Sequence, residues 1–368
     1  MTQVLTQEQE LLQGIVREFS QGEILSKASK IDLDSKVPDE LLRKLPELGL
    51  YGIVVPSPYG GAGADFTSLL LTVEELSKVS GTIGARIAFH GIVCSALNES
   101  GNESLRSSVL PKLAGRTLSA FSVDPKSTIS YKKSGNELVL EGTSEYVLNA
   151  DVAGVFLFLA RSKDGSSVIV CVEKERVGDG IEVGEPKKMM GLRGSGTSRV
   201  SLHNLDLTES SLLFPSAETS SAVQRFQVAG RLAVASQSLG IGQAALNEEI
   251  KYANERSQFN TKIGRFYAVQ DFIASDEISI DSARSVTYDV ASSPLNEESA
   301  GRRSAAAKIL ASNAAVQTAR HSIRVHGGYG FIRDYPVERY LRDARAMQIY
   351  LESNEALKAK IAEDLLSR

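Results

Sequence analysis

The chain has 368 residues, 42% of them hydrophobic and 23% charged, with a formal net charge of -4. That length can bury a large core in two or three domains, and the charge gives no electrostatic footprint for a nucleic acid. The only cysteines, Cys94 and Cys171, lie far apart in sequence and suggest neither a disulfide framework nor a zinc site. The start MTQVLTQEQELLQ is polar where a secretory leader would be apolar, and no run of eighteen apolar residues occurs, so a cytoplasmic protein without membrane contact is expected.

From Thr6 to about Arg116 apolar residues recur at helical spacing, as in Glu8 to Phe19 and Leu41 to Leu48. The turn-rich PSPYGGAGAD, Pro56 to Asp65, interrupts this pattern. Phe66 to Val79 then reads as an amphipathic helix, with Leu69, Leu70, Val73 and Leu76 on one face and Glu74 and Glu75 beside them. After Arg116 the texture changes to short β-rich runs, ELVLEGTSEYVLN, AGVFLFLAR and SSVIVCVEK, separated by Gly, Asn, Asp and Ser. Val200, Leu202 and Leu205 lead into an expected Asn-Leu-Asp turn, and the strand region ends near Pro215. Helical spacing returns over Val223 to Asn254, Val269 to Ser292 and Ser299 to His326, which predicts an antiparallel bundle. The expected fold is therefore α+β and multidomain: a helical domain over 1–116, a β domain over 117–220 and a helical bundle over 221–368. This order excludes a doubly wound sheet, in which strands and helices alternate throughout.

Three segments could carry chemistry. In RVHGGYGFIRDYPVERYLRDARAMQIY, Arg324 to Tyr350, paired glycines let backbone amides approach an anionic or planar ligand. Arg333, Arg339, Arg342 and Arg345 could hold phosphates or acidic side chains there, or the glycines could be a helix-ending turn and the arginines a solvated face. In NERSQFNTKIGRFYAVQ, Asn254 to Gln270, Arg256, Lys262 and Arg265 accompany Phe259 and Phe266, which suits a nucleotide-like ligand or a basic connection with core-anchoring aromatics. The third is a pair of strand ends, FSVDP (Phe121 to Pro125) and EYVLNA (Glu145 to Ala150). His90, His203, His321 and His326 show no metal-ligand spacing, so no metal is expected. GLRGSGT, Gly191 to Thr197, lacks the Gly-Lys-Ser/Thr ending of a phosphate loop and reads as a turn between strands.

In this order the segments resemble the acyl-CoA dehydrogenase family over essentially the whole chain. PSPYGGAGAD with its EEL helix is similar to the family's P-x-x-YGG-x-G and E-E-I/L region, and FSVDP to its T-E-P strand. GTSEYVLNA resembles G-x-K-x-W-I-T-N-G, GLRGSGTSRVSL resembles G-x-R-x-S-x-T, and NERSQFNTKIGRFYAVQ resembles Y-x-x-x-R-x-Q-F-G-x-x-I-x-x-F-Q-x-x-Q. VHGGYGFIRDYPVERYLRDAR matches the C-terminal signature. The resemblance implies an α domain, a β-barrel and a four-helix bundle, with FAD extended between the last two and across a subunit interface. It places Arg256, Gln258 and Phe259 at the pyrophosphate and adenine from one subunit and Gly327 and Gly328 from its neighbour. Tyr146 and Leu148 would lie against the isoalloxazine, Val123, Arg324, Ser353 and Glu355 at other cofactor-contacting motif positions, and Arg231 near an acyl-CoA substrate. A homo-oligomer, dimer or tetramer, or a hetero-oligomer with a homologous chain is implied, with electron-transfer flavoprotein as a possible redox partner.

In the family a carboxylate removes the substrate's α-proton while the β-hydrogen leaves as hydride to the flavin. Its motif, Y-E-G-T-N/S-E-I-Q/L-R, aligns without a gap on Tyr350 to Lys358 and puts the base position on Leu351. One inserted residue would instead bring Glu352 there, making it the candidate catalytic base. Members that hold the base on the first bundle helix do so one residue before the binding arginine, and here that residue is Gly230. Other departures are Val123 for the threonine of T-E-P, KSTIS for the following G-A-G-S-D, Leu148 for a threonine, Tyr267 for a glutamine and Arg324 for the glutamine before H-G-G. Each lost flavin hydrogen bond is worth on the order of 1 kcal/mol. Three functions follow: an FAD-dependent acyl-CoA dehydrogenase with a displaced base, a non-catalytic partner subunit of a heteromeric one, or a flavin oxidase or monooxygenase on the same scaffold.

Overall fold

A computed structural model describes residues 5–122, 127–297 and 299–367. Six helices come first: α1 (Gln7–Phe19), α2 (Leu25–Asp34), α3 (Asp39–Glu47), α4 (Phe66–Ser77), α5 (Gly81–Glu99) and α6 (Glu103–Gly115). Capping chemistry marks several starts: Thr6 and Gln9 form a reciprocal capping box on α1, and Asp65 accepts from the Ser68 N–H to begin α4. The expected amphipathic helix is instead buried from Thr67 to Ser77. Its two glutamates are tolerated there because each is partnered. Glu74 meets Arg284 and accepts from the Tyr288 hydroxyl, and Glu75 meets Arg17 and Lys78.

The middle region contains β1 (Leu118–Ser122), β2 (Ser130–Ser134), β3 (Glu137–Val147), β4 (Ala153–Arg161), β5 (Ser167–Glu173), the short α7 (Lys174–Val177), β6 (Ile181–Val183) and β7 (Ser198–Thr208). The strands form one mixed sheet in the order β1-β4-β2-β3-β7-β6, with β5 also pairing β4. Alternate residues from all seven strands, among them Ala120, Tyr131, Leu140, Phe156, Val170, Ile181 and Leu202, meet in a single cluster, so the sheet curls around its own core. The opposite face of β4, carrying Val155, Leu157 and Leu159, joins the helical core. The Asn-Leu-Asp segment is not a turn. β7 continues through it with a bulge, because Leu140 pairs with Leu205 but Gly142 with Leu202, and Asn204 takes φ 45°. Of the first strand end singled out in the sequence only Phe121 and Ser122 are described: there β1 pairs in parallel with β4 and touches β3 through the Ser122 and Ser144 hydroxyls, 2.5 Å apart.

The last region holds α8 (Thr219–Glu255), a hairpin of β8 (Ser257–Gln258) and β9 (Thr261–Lys262), α9 (Tyr267–Ala291), α10 (Ala300–His326), α11 (Val337–Ile349) and α12 (Asn354–Leu366). Small residues let its helices approach closely. A Cβ on Gly240 of α8 would fall 2.3 Å from the Glu74 carbonyl of α4, and one on Gly242 would fall 3.2 Å from Ala315 Cα of α10. The Gly191–Thr197 loop locks the three regions together. Arg86, 1% exposed, donates to the Gly194 carbonyl and to Asp151, while Asp343 of α11 accepts from the Leu192 N–H at 2.6 Å. Among the described residues no helix is long and apolar enough to cross a membrane.

Candidate functional site

Between α11 and α12 the chain makes a tight turn. The Glu352 N–H donates to the Tyr350 carbonyl at 2.8 Å and Leu351 sits at φ 59°, a γ-turn geometry that is strained for a branched L-residue. Lys308 holds it there: its Nζ, on a side chain 1% exposed, donates to the Glu352 carbonyl at 2.7 Å and to Asn354 Oδ1 at 2.9 Å. Burial pushes the Lys308 ammonium down to about 8 against the nearby Glu352 and Glu355. The Leu351 side chain points at α8, where a Cβ on Gly230 would lie 2.6 Å from its Cδ1. The two positions at which the resemblance puts a base therefore meet at one point, and neither carries a carboxylate.

Glu352 faces elsewhere. Its Oε2 accepts from Arg231 Nε at 2.7 Å and lies 2.6 Å from an Arg231 Nη, and its Oε1 is paired with Lys360. Arg231, 6% exposed, also donates from its other Nη to the Gly301 carbonyl at 3.0 Å. Burial alone would raise the Glu352 carboxyl, but Lys360 and Arg231 outweigh it and hold the group below the usual carboxylate range. An arginine expected at the substrate and a glutamate expected as base are thus each other's partners.

The interior beside this turn is filled with rings. Phe89 stacks on Phe121 at 4.9 Å and meets Tyr350 edge-on at 5.1 Å, and Phe121 meets Phe226 at 5.7 Å. Beyond Phe226, between α5 and α8, remains a void of about 20 Å³ against Ile92, Ala96 and Ala229, with the Glu99–Arg225 ion pair among its walls.

A larger cavity of about 470 Å³ opens where the C-terminal ends of α8 and α10 meet, lined by Tyr252, Arg256, Gln258, His326, Gly327 and Gly328 among others. Tyr252 and His326 stack at 4.1 Å to form its wall. Gly327 takes φ 59°, and neither it nor Gly328 has any atom within 4 Å of where a Cβ would stand, so backbone is open to a ligand. His326 Nε2 is buried without a hydrogen-bond partner among the described residues. A guanidinium, an amide, an aromatic wall and an unpaired imidazole nitrogen suit the adenine and pyrophosphate of a dinucleotide. Arg256 and Gln258, expected from one subunit, and Gly327 and Gly328, expected from its neighbour, line this cavity within one chain, without Phe259.

The remaining expected positions scatter. Phe259, 90% exposed, caps the β8–β9 hairpin beside Asn260, both at positive φ. Tyr146 is 62% exposed under Lys187, while Leu148 is buried in the core. Arg324 lies over the Phe272 ring at 4.6 Å, and Ser353 caps α12 by accepting from the Ala356 N–H. Glu355 is exposed in the first turn of α12, and Val123 falls outside the described residues. Of the four arginines in the C-terminal segment, Arg342 takes the acidic partners Asp32 and Glu338. Sequence reasoning missed Lys308, Tyr252 and the role of His326. Tyr252 could have been found four residues before Arg256 on one helical face.

No group of three or more metal-ligating side chains occurs among the described residues, and both cysteines are free and buried. Residues 6–117 match the acyl-CoA dehydrogenase N-terminal domain, and residues 220–366 the acyl-CoA dehydrogenase C-terminal domain. An acyl-CoA dehydrogenase of Bacillus subtilis is 33% identical across 98% of this chain and 99% of its own length. The short-chain-specific acyl-CoA dehydrogenase of Clostridium acetobutylicum is 32% identical across 97% of this chain and 98% of its own. The structure of butyryl-CoA dehydrogenase from Megasphaera elsdenii superposes at a TM-score of 0.92 with 25% identity, covering both chains completely. The chain belongs to the acyl-CoA dehydrogenase family of flavin-dependent oxidoreductases.

Proposed function

We propose that this chain is a subunit of a heteromeric acyl-CoA dehydrogenase that keeps a dinucleotide-binding groove but supplies no proton-abstracting carboxylate. The observation that carries this reading is the contact between Leu351 and Gly230, which fills both base positions with apolar atoms while Glu352 is committed to Arg231. The rings of Phe89, Phe121 and Tyr350, packed beside that turn, support it.

FAD fits the chain in part. Arg256, Gln258, Gly327 and Gly328 would hold its pyrophosphate and adenine, and the unpartnered His326 Nε2 is a natural contact for one of its polar atoms. The ring-side hydroxyl is lost at Leu148, which is buried in the core. When bound, the flavin supplies a hydride acceptor. This chain's own contributions are narrower: Arg256 neutralises phosphate charge, the glycines admit backbone close to it, and Lys308 fixes the turn that carries Leu351. A homologous chain with a glutamate at the position of Leu351 would complete the reaction, and the exposed Phe259 and Phe331, each 90% exposed, offer apolar area for it.

Flavin content and flavin bleaching by acyl-CoA would be measured for the chain alone and co-expressed with a glutamate-bearing homologue. The expected result is no bleaching alone and bleaching of the co-purified pair. A chain that bleaches alone, and loses this on Glu352→Gln, would instead be a dehydrogenase with a displaced base. Oxygen uptake by reduced flavin without acyl-CoA would point to an oxidase or monooxygenase.

A further inference from the structure

Behind the Tyr252–His326 wall, α8, α9 and α10 bury two carboxyl groups against each other. Glu249 and Asp276 are both 0% exposed, and they lie within hydrogen-bonding reach of one another. Asp276 is already supplied with donors: Gln317 Nε2 at 3.2 Å, and His321 Nδ1 at 3.0 Å from each of its oxygens. Neither oxygen of Glu249 receives a hydrogen bond from any N–H or O–H of the described residues. An ionised Glu249 would be an unsolvated charge facing a second carboxylate, a state that buried acid pairs avoid by keeping a proton. The groups acting on the pair are few. Glu249 faces Asp276, and Asp276 faces Glu249, His321 and the neutral amide of Gln317. His321 stacks on Phe272 at 4.3 Å and is the one basic group in contact with either carboxyl among the described residues.

We infer that Glu249 and Asp276 share one proton in the folded protein, Glu249 donating it to Asp276, and that this proton is a pH-sensitive fastening of α8 to α9 beneath the nucleotide cavity. With Glu249 as the acid, Asp276 stays the carboxylate that accepts from Gln317 and His321. Tyr252 follows Glu249 by one turn on α8, and His326 follows His321 on α10, so the cavity wall stands on the same two helices. Burial, and then the charge of Asp276, hold the Glu249 carboxyl well above the usual carboxylate range. The folded state therefore keeps a proton that the unfolded chain releases above the ordinary carboxylate pKa. The contribution is complete below that pKa and declines as pH rises toward the raised folded value.

Glu249→Gln keeps the shape and a permanent donor, and its stability relative to wild type would be followed by thermal unfolding of the full chain. The difference is expected to be near zero at about pH 5 and to grow to several degrees in favour of the variant at about pH 8. Parallel pH profiles, or a variant less stable at both ends, would overturn the inference. Infrared spectroscopy of the wild type needs no variant to fold. At about pH 7.5, where exposed carboxyls are ionised, the carbonyl stretch of a protonated carboxyl should persist, and its absence would equally overturn the shared proton.

Discussion

Replacing Glu352 by glutamine separates a structural carboxylate from a catalytic one. Glutamine preserves the shape and one acceptor oxygen, but it removes the negative charge that pairs with Arg231 and leaves the guanidinium a neutral amide acceptor. Removing one partner of a buried ion pair costs about 3–5 kcal/mol, because the other charge is left uncompensated. Arg231 keeps the Gly301 carbonyl, and the Glu352 side chain is 15% exposed and shared with Lys360, so the loss should fall at or below the lower end of that range, about 2–3 kcal/mol. Urea unfolding followed by far-ultraviolet circular dichroism would measure it, for the single variant, for Arg231→Met and for the two together. Coupling of about 1–2 kcal/mol is expected in that cycle. A variant within about 0.5 kcal/mol of wild type would mean that the carboxylate is not held by Arg231 and is available for chemistry.

Gly230→Ala should destabilise by about 1–3 kcal/mol through collision with Leu351, and Leu351→Ala in the same chain should recover most of that loss in the same unfolding assay. Arg256→Ala should weaken binding of FAD or ADP about tenfold, measured by titration calorimetry, with unfolding unchanged because the side chain is exposed. His90 is buried between Ser119 and the Tyr51 carbonyl, and burial lowers its pKa from 6.5 to about 4. The stability gained by keeping it neutral is complete above about 6.5 and is lost as pH falls toward 4, so His90→Asn should flatten the acid limb of the stability profile.

The order of helices, strands and helices was readable because the spacing of apolar residues changes period twice along the chain, near Arg116 and near Ala222. What failed was local. Nothing in the spacing of Phe66 to Ser77 shows that Glu74 and Glu75 are buried, since their partners Arg284, Tyr288 and Arg17 lie far away in sequence. The bulge at Asn204 looked like a turn because asparagine favours left-handed backbone in both settings. At the site, the missing carboxylate could be seen at Leu351 and Gly230 separately. That the two side-chain positions touch, and that Glu352 turns to Arg231, depend on packing between α8 and the turn before α12. Two positions more than a hundred residues apart carry no local signal of such a contact.

The meeting of Leu351 with Gly230 also constrains how this chain could change over evolution. A larger residue at 230 runs into the leucine, so a carboxylate can be installed on α8 only after 351 has shrunk. At 351 the way is open, because the glycine opposite leaves room for a glutamate of similar length. One route back to a base takes a single replacement, and the other takes two in a fixed order.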